Sequence, residues 1–280
     1  NFHSPIRVTK GHVFHPREQF AVDYVKHNFA QEYVFNKDHS RAIADLAYCI
    51  TNPGAQLIFS PSFQRHVTEL TENMALGVSG SLVSRVSDNT AHRFHQICGS
   101  PPQVRWGIMG AGRIAKLYAQ FISTVPGCVL HSISSRTKKN AAILADLFDI
   151  GVVYDDIDGP IHDPNIDVVY IALPTKCHYE YAKQALQNGK HVVCEKPIAI
   201  DMEQLAELKQ VADNKKLVLC DGIQFVHSPL NHMKFRSMRQ RGVKSIDSTF
   251  HVPSSYMNSY DVRYDAVLEP LGIVGDLGVY

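Results

Sequence analysis

The sequence predicts an α/β protein: a doubly wound parallel sheet, preceded by a mostly helical segment and followed by the start of an α+β domain. Three observations predict this class. From Val104 onward, short apolar runs alternate with stretches of helical period. The apolar runs are nearly continuous, as strands covered on both faces are. A glycine-rich turn, "GAGRIA" (110–115), joins the first strand to the first helix.

The elements after the turn follow in order. Strand "VRWGIM" leads into helix "RIAKLYAQFI", where Ile114, Leu117, Tyr118, Phe121 and Ile122 share one face. Strand "CVLHSI", helix "KNAAILADLF", strand "DVVYIAL" and helix "HYEYAKQALQ" come next. Strand "HVVC", helix "MEQLAELKQVA" and strand "KLVLC" complete the sheet. Gly189 stands after its helix, where a C-terminal glycine belongs. Asp201 is placed to cap the last helix, with Gln204 as the other half of a capping box. From about Phe225 the rhythm changes, and "KSIDSTFHV" alternates apolar and polar residues as a half-exposed antiparallel strand does. The expected units are therefore 1–100 (helical), 104–224 (the parallel sheet) and 225–280 (the opening of a second, substrate-binding domain).

The first boundary falls at "GSPPQ" (99–103), which cannot continue a helix. Ahead of it, "PREQFAVDYVKHNFAQEYVF" begins with a proline, tolerated at a first helical position. "DHSRAIADLAYCI" offers Asp38 as an N-cap and Ile43, Leu46, Ala47 and Ile50 as one apolar face. "SPSFQRHVTELTENMALG" opens on Ser60-Pro61, another helix start, and a further helix is expected within 83–98. Two histidine pairs, His12/His15 and His92/His95, lack an acidic residue at a ligand-like spacing, so they read as helix-surface residues and no metal is expected.

Composition narrows the function classes. The formal net charge of +1 supplies no electrostatic reason for a nucleic-acid or anionic-membrane partner. No apolar run reaches the roughly 18 residues of a spanning helix. The six cysteines are scattered, without a C-x-x-C pair. They read as reduced thiols, which points to the cytoplasm, or to an organelle after removal of a targeting segment.

The glycine turn suits a dinucleotide. Gly110 permits the tight turn, Gly112 lets a pyrophosphate approach the backbone, and Ala115 lets the helix pack close to the strand. Ala111, Gly112, Arg113 and Ile114 then present the helix N-terminus to the phosphates. The second strand ends in "SSRTKK" (134–139), without the acidic residue that binds a ribose 2′-hydroxyl. Ser135 and Arg136 suit a 2′-phosphate instead, so NADP is expected over NAD. Lys138 and Lys139 read as a solvated helix start.

The most specific stretch is "ALPTKCHYEYAKQALQNGKHVVCEKPIAI" (172–200). One strand ends at Pro174-Thr175, His178 opens a helix, and the next strand ends in Glu195-Lys196-Pro197. Carboxyl ends of parallel strands are where ligands bind. This stretch resembles the Gfo/Idh/MocA oxidoreductases. "DGIQFVHSP" (221–229) and "DVRYDAVLEPLGIVGDLGVY" (261–280) resemble its dihydrodiol dehydrogenase and NADP-dependent xylose dehydrogenase branch. The resemblance covers about 104–280 and leaves 1–100 unassigned. It implies a Rossmann-type domain and hydride transfer between a nicotinamide and a hydroxyl carbon of a sugar, polyol or cyclic diol. It implies that Pro174, Thr175, His178, Glu195 and Lys196 line the nicotinamide. It also implies catalytic roles for Lys196, Asp276 and Tyr280.

The residue types fit that chemistry. A free tyrosine, with a pKa of about 10, is a poor base at neutral pH. An adjacent ammonium, Lys196, stabilises its phenolate. Asp276 is then best used to hold the lysine or a substrate hydroxyl. It shares a helical face with Tyr280 if a helix begins by Gly275, and it could instead be only a helix N-cap. His227 is a further candidate for substrate contact, and Leu230 replaces an arginine common in related sequences. The resemblance also implies that such proteins continue past Tyr280 into an antiparallel sheet whose open face forms a homodimer. A chain of this kind is expected to be part of a longer protein. The alternative is a non-catalytic dinucleotide-binding scaffold with a helical interaction segment.

Overall fold

The computed structural model describes residues 40–52, 54–55, 103–123, 125, 127–223 and 262–277. Its centre is a six-stranded, all-parallel sheet: β1 (Val104–Met109), β2 (Cys128–Ser134), β3 (Val152–Tyr154), β4 (Val168–Ile171), β5 (His191–Cys194) and β6 (Leu219–Asp221). The spatial order is β3-β2-β1-β4-β5-β6. The order therefore reverses between β1 and β4, and it is outside the carboxyl ends at such a reversal that doubly wound sheets bind their ligands.

The helices are α1 (Ser40–Thr51), α2 (Arg113–Ile122), α3 (Lys138–Phe148), α4 (Gly159–His162), α5 (His178–Gln187), α6 (Met202–Lys215) and α7 (Gly272–Leu277). Right-handed crossovers send α2 and α3 to one face and α5 and α6 to the other. Two apolar clusters result. One joins Trp106, Ile108, Ala115, Tyr118, Ile122 and Leu144. The other joins Met109, Ile171, Ala182, Leu186, Leu205 and Leu208.

Crossover geometry leaves the α2 face of β4–β6 without a helix of its own. α1 supplies the cover. Its Ile43, Leu46, Ala47 and Cys49 are buried in the same cluster as Tyr170, Val193 and Cys220. Full burial of side chains such as Ile43 and Leu46 is worth roughly 1.5–3 kcal/mol each. Of the helices expected before Gln103, α1 is the one within the described residues. The others, the two histidine pairs and Asp38 lie outside them.

The local grammar holds well. α2 and α5 match their expected spans, and Gly189 takes the left-handed conformation with φ of 78°. The Gln204 N–H donates to the Asp201 carboxylate at 2.8 Å, and the Gln204 side chain accepts from Ile200 N–H at 3.3 Å. Two elements were not expected, β3 and α4. β3 is a three-residue edge strand, half-buried throughout, so no periodicity could announce it. The strand expected at "KSIDSTFHV" lies outside the described residues.

Candidate active site

Four backbone hydrogen bonds carry the sheet past its strand ends. Gly110 N–H donates to Ser134 O at 2.8 Å and Ala172 N–H to Met109 O at 2.8 Å. Glu195 N–H donates to Ile171 O at 2.9 Å and Gly222 N–H to Cys194 O at 2.7 Å. The end of β2 and the segments after β1, β4, β5 and β6 therefore lie side by side along one edge. Most of the sequence-predicted site residues are on it.

Gly110 sits at φ 105°, and a Cβ there would lie 2.4 Å from Ala172 O. Only glycine fits, because both the backbone sign and the neighbouring carbonyl exclude a side chain. Gly112 differs. A Cβ there would meet nothing within 4 Å, and no side chain caps the first turn of α2. The space over Gly112 and the uncapped helix start fit a pyrophosphate. Ala111 is half-buried, Arg113 exposed and Ile114 half-buried, while Ala115 is fully buried against the strand.

After β2, Ser135 is buried and its hydroxyl accepts from Thr137 N–H at 3.3 Å. Arg136 is exposed, and its charge reaches Cys177 beyond β4, where it acts against the burial that raises that thiol's pKa. Lys138 pairs with Asp155 at 2.8 Å on the surface.

After β4, Pro174 leads into a short 3-10 turn, Thr175–Cys177. Thr175 is buried, and its N–H donates to the Glu269 carboxylate at 3.2 Å; its hydroxyl donates there too. Lys176 N–H donates to Leu268 O at 3.0 Å. His178 is the first residue of α5 and is buried. Its ring nitrogens lie 2.7 Å from Pro197 O and 2.7 Å from Leu173 O. Burial holds the ring below the usual histidine value. His178 thus ties the β4 loop to the turn after β5, and its nitrogens are taken up by backbone.

After β5, Glu195 is buried and accepts from Tyr170 OH at 2.6 Å. Tyr170 stacks on Tyr118 with ring centroids 3.8 Å apart. Lys196 precedes a cis peptide bond to Pro197. Its ammonium donates to Asp276 Oδ1 at 2.7 Å and to the Asp276 carbonyl. Lys196 is 10% exposed in its side chain and Asp276 25%, so the pair is partly shielded from solvent.

α7 begins at Gly272, ahead of Gly275 as the shared face with Tyr280 required. Asp276 therefore falls beyond the first turn, and the reading of it as a helix N-cap is corrected: an N-cap precedes the helix, and this carboxylate instead holds Lys196. Gly275 is buried, and a Cβ on it would sit 3.5 Å from Pro197 Cγ. Tyr280, His227 and Leu230 lie outside the described residues.

Sequence reasoning missed four residues of this edge. Tyr118 and Tyr170 read as ordinary helix and strand residues, and Asp221 and Glu269 lay in stretches that carried the resemblance but were given no role of their own. Asp221 is buried beside Glu195, and burial pushes its carboxyl up to about 7. Among the described residues, no group of three or more His, Cys, Asp or Glu could hold a metal ion, and no helix is long and apolar enough to cross a membrane. The five described cysteines form no disulfide among the described residues.

Known proteins resemble this part of the chain. Residues 104–222 match the Gfo/Idh/MocA oxidoreductase family, NAD-binding Rossmann fold. The NADP(+)-dependent D-xylose 1-dehydrogenase of Hypocrea jecorina is 31% identical over 156 residues, 51% of this chain and 40% of that protein. The trans-1,2-dihydrobenzene-1,2-diol dehydrogenase of Xenopus laevis is 35% identical over 107 residues, 37% of this chain and 32% of that protein. A mutant 3-ketoreductase from Actinomadura kijaniata, solved with TDP-benzene and NADP, superposes with a TM-score of 0.53 at 29% identity. That superposition covers 59% of this chain and 51% of the ketoreductase. The chain spans about half the length, or less, of the curated relatives it matches. Glycine turn, strand order and family match agree: residues 104–222 form a Rossmann-type domain that matches the Gfo/Idh/MocA oxidoreductase family.

Proposed function

We propose that this chain is part of an NADP(H)-dependent oxidoreductase acting on a hydroxyl carbon of a sugar, polyol or cyclic diol. The observation that carries the reading is the Lys196–Asp276 ion pair at the carboxyl edge of the sheet, two strands from the glycine turn. A bound nicotinamide supplies the hydride acceptor or donor. The chain's own residues do the rest. Gly112 and the start of α2 hold the pyrophosphate, and Ser135 and Arg136 hold a 2′-phosphate. Asp276 fixes the Lys196 ammonium, which orients the substrate oxygen and stabilises negative charge on it. Tyr280, four residues past Asp276 in sequence, is the acid/base: it takes the hydroxyl proton in oxidation and returns it in reduction. The curated relatives named above, a pentose dehydrogenase and a diol dehydrogenase, support the substrate class. The resemblance further implies a homodimer of the full-length protein.

Cofactor choice is tested by titration. Trp106 is the only tryptophan and lies in β1, four residues before Gly110, so it reports bound NADPH by energy transfer. Saturable transfer is expected, tighter with NADPH than with NADH. Arg136→Ala is expected to weaken NADPH by about 10-fold and leave NADH unchanged, as loss of one charge-assisted contact does. Failure to bind either nucleotide would overturn the dinucleotide assignment, and tighter NADH would overturn the role of Arg136. Turnover of the full-length protein on pentoses and diols then separates an oxidoreductase from a non-catalytic scaffold.

A further inference from the structure

Behind Lys196 lies a second carboxyl cluster that hydride transfer does not require. Asp221 ends β6 opposite Cys194, one residue before Glu195 on the neighbouring strand. Both carboxyls are buried, Asp221 at 7% and Glu195 at 8% exposure. Gly222 packs so tightly here that a Cβ on it would lie 2.9 Å from Glu195 Oε1. The backbone N–H groups of Ile198 and Ile223 reach Asp221, yet its Oδ1 has no hydrogen-bond partner.

The charges around it do not balance if every acid is ionised. Glu195 faces Asp221 from β5, Lys196 from the turn after it, and Asp276 acts on Glu195 from α7. Cys194 and Cys220 also face it, and burial raises both thiols well above their ordinary value, so they are neutral. α1 brings Asp45 and Cys49 against Cys220. Among these groups Lys196 is the one cation, and it already pairs with Asp276. A further pair of adjacent buried carboxylates costs more than a proton does. Burial raises the Glu195 carboxyl as well, but the Tyr170 hydroxyl it accepts from and the neighbouring Lys196 ammonium both act toward its ionised form. Asp221 has the orphaned oxygen.

We propose that Asp221 is a positioning residue that keeps its proton up to neutral pH, so that below neutral the Lys196 turn rests on one buried carboxylate rather than two. The protonated carboxyl sits under Glu195 without repelling it, and Glu195 stays braced by Tyr170. Lys196 then remains committed to Asp276 and the substrate side of the edge. The consequence for hydride transfer rests on the oxidoreductase reading. The protonation itself does not, and its test uses neither cofactor nor turnover.

The test is the pH dependence of unfolding of the whole chain, compared with Asp221→Asn and Glu195→Gln. Because the folded value is raised above the unfolded one, the stability Asp221 contributes is full below the unfolded value. It is lost as pH rises through about 7. Between about pH 5 and about pH 8 the wild-type unfolding constant should rise roughly 100-fold more than that of Asp221→Asn. Glu195→Gln should keep only part of that rise, because burial, the larger cause, remains while the repulsion from Glu195 is gone. Equal slopes in wild type and Asp221→Asn, or a slope removed by Glu195→Gln alone, would overturn the proposal. Should Asp221→Asn fail to fold, the infrared carbonyl stretch of a protonated carboxylic acid decides the matter. In the wild type it should vanish across neutral pH, and its absence below neutral would sink the idea.

Discussion

At the residue scale, the site rests on one lysine held by one aspartate. Lys196 and Asp276 meet across 80 positions of sequence, and the lysine donates to both the carboxylate and the carbonyl of the same residue. Such double anchoring fixes the ammonium in direction, which a point charge on a flexible stem otherwise lacks. Replacing Lys196 by Ala in the full-length protein is expected to lower turnover by about 10²–10⁴-fold, the range of a lost acid–base partner. NADPH binding, read by Trp106, should persist. Loss of binding and turnover together would make Lys196 a structural residue instead. Both residues were legible in advance because they belong to motifs. Their brace was not, since Tyr170 in β4, Glu195 just after β5 and Asp221 in β6 meet through a strand adjacency that no local pattern encodes.

At the element scale, the two turn glycines serve different ends, and the structure separates them. Gly110 answers to the fold: its φ of 105° and the nearby Ala172 carbonyl leave no room for a methyl. Gly110→Ala is expected to destabilise the domain by more than about 2 kcal/mol, combining left-handed strain with a backbone clash. Gly112 answers to the ligand, since its surroundings are open. Gly112→Ala should change stability by less than about 1 kcal/mol while weakening NADPH at least about 10-fold. Thermal unfolding beside the same titration checks both, and equal behaviour of the two variants would refute the distinction.

At the scale of the whole molecule, α1 is part of the nucleotide-binding body. The crossovers of α5 and α6 commit them to one face, and α1 closes the other over Tyr170, Val193 and Cys220. Leu46 is fully buried there. Leu46→Ala is therefore expected to cost about 2–5 kcal/mol and to lower the unfolding midpoint of the whole domain. A separate early transition, with the sheet unaffected, would mean that α1 folds as an independent appendage. The segment 262–277 is bound in from the opposite direction in sequence, through Glu269 on Thr175 and Asp276 on Lys196. Distant stretches of chain thus complete a sheet that is otherwise contiguous from β1 to β6.

What the sequence by itself determined is what short-range physics decides. Apolar periodicity set the strands and helices, and the capping box set the start of α6. The glycine turn set the entry to α2, and the missing acid after β2 set the cofactor expectation. Each depends on residues within one or two turns of each other. The tertiary structure alone decided which strands lie side by side, that α1 covers the vacant face, and that a three-residue β3 forms an edge. It also decided that α7 starts early enough for Asp276 to reach Lys196 instead of capping a helix. Those outcomes turn on burial and charge between segments tens of residues apart. Such contacts have no period, and only a packed interior gives them their energy.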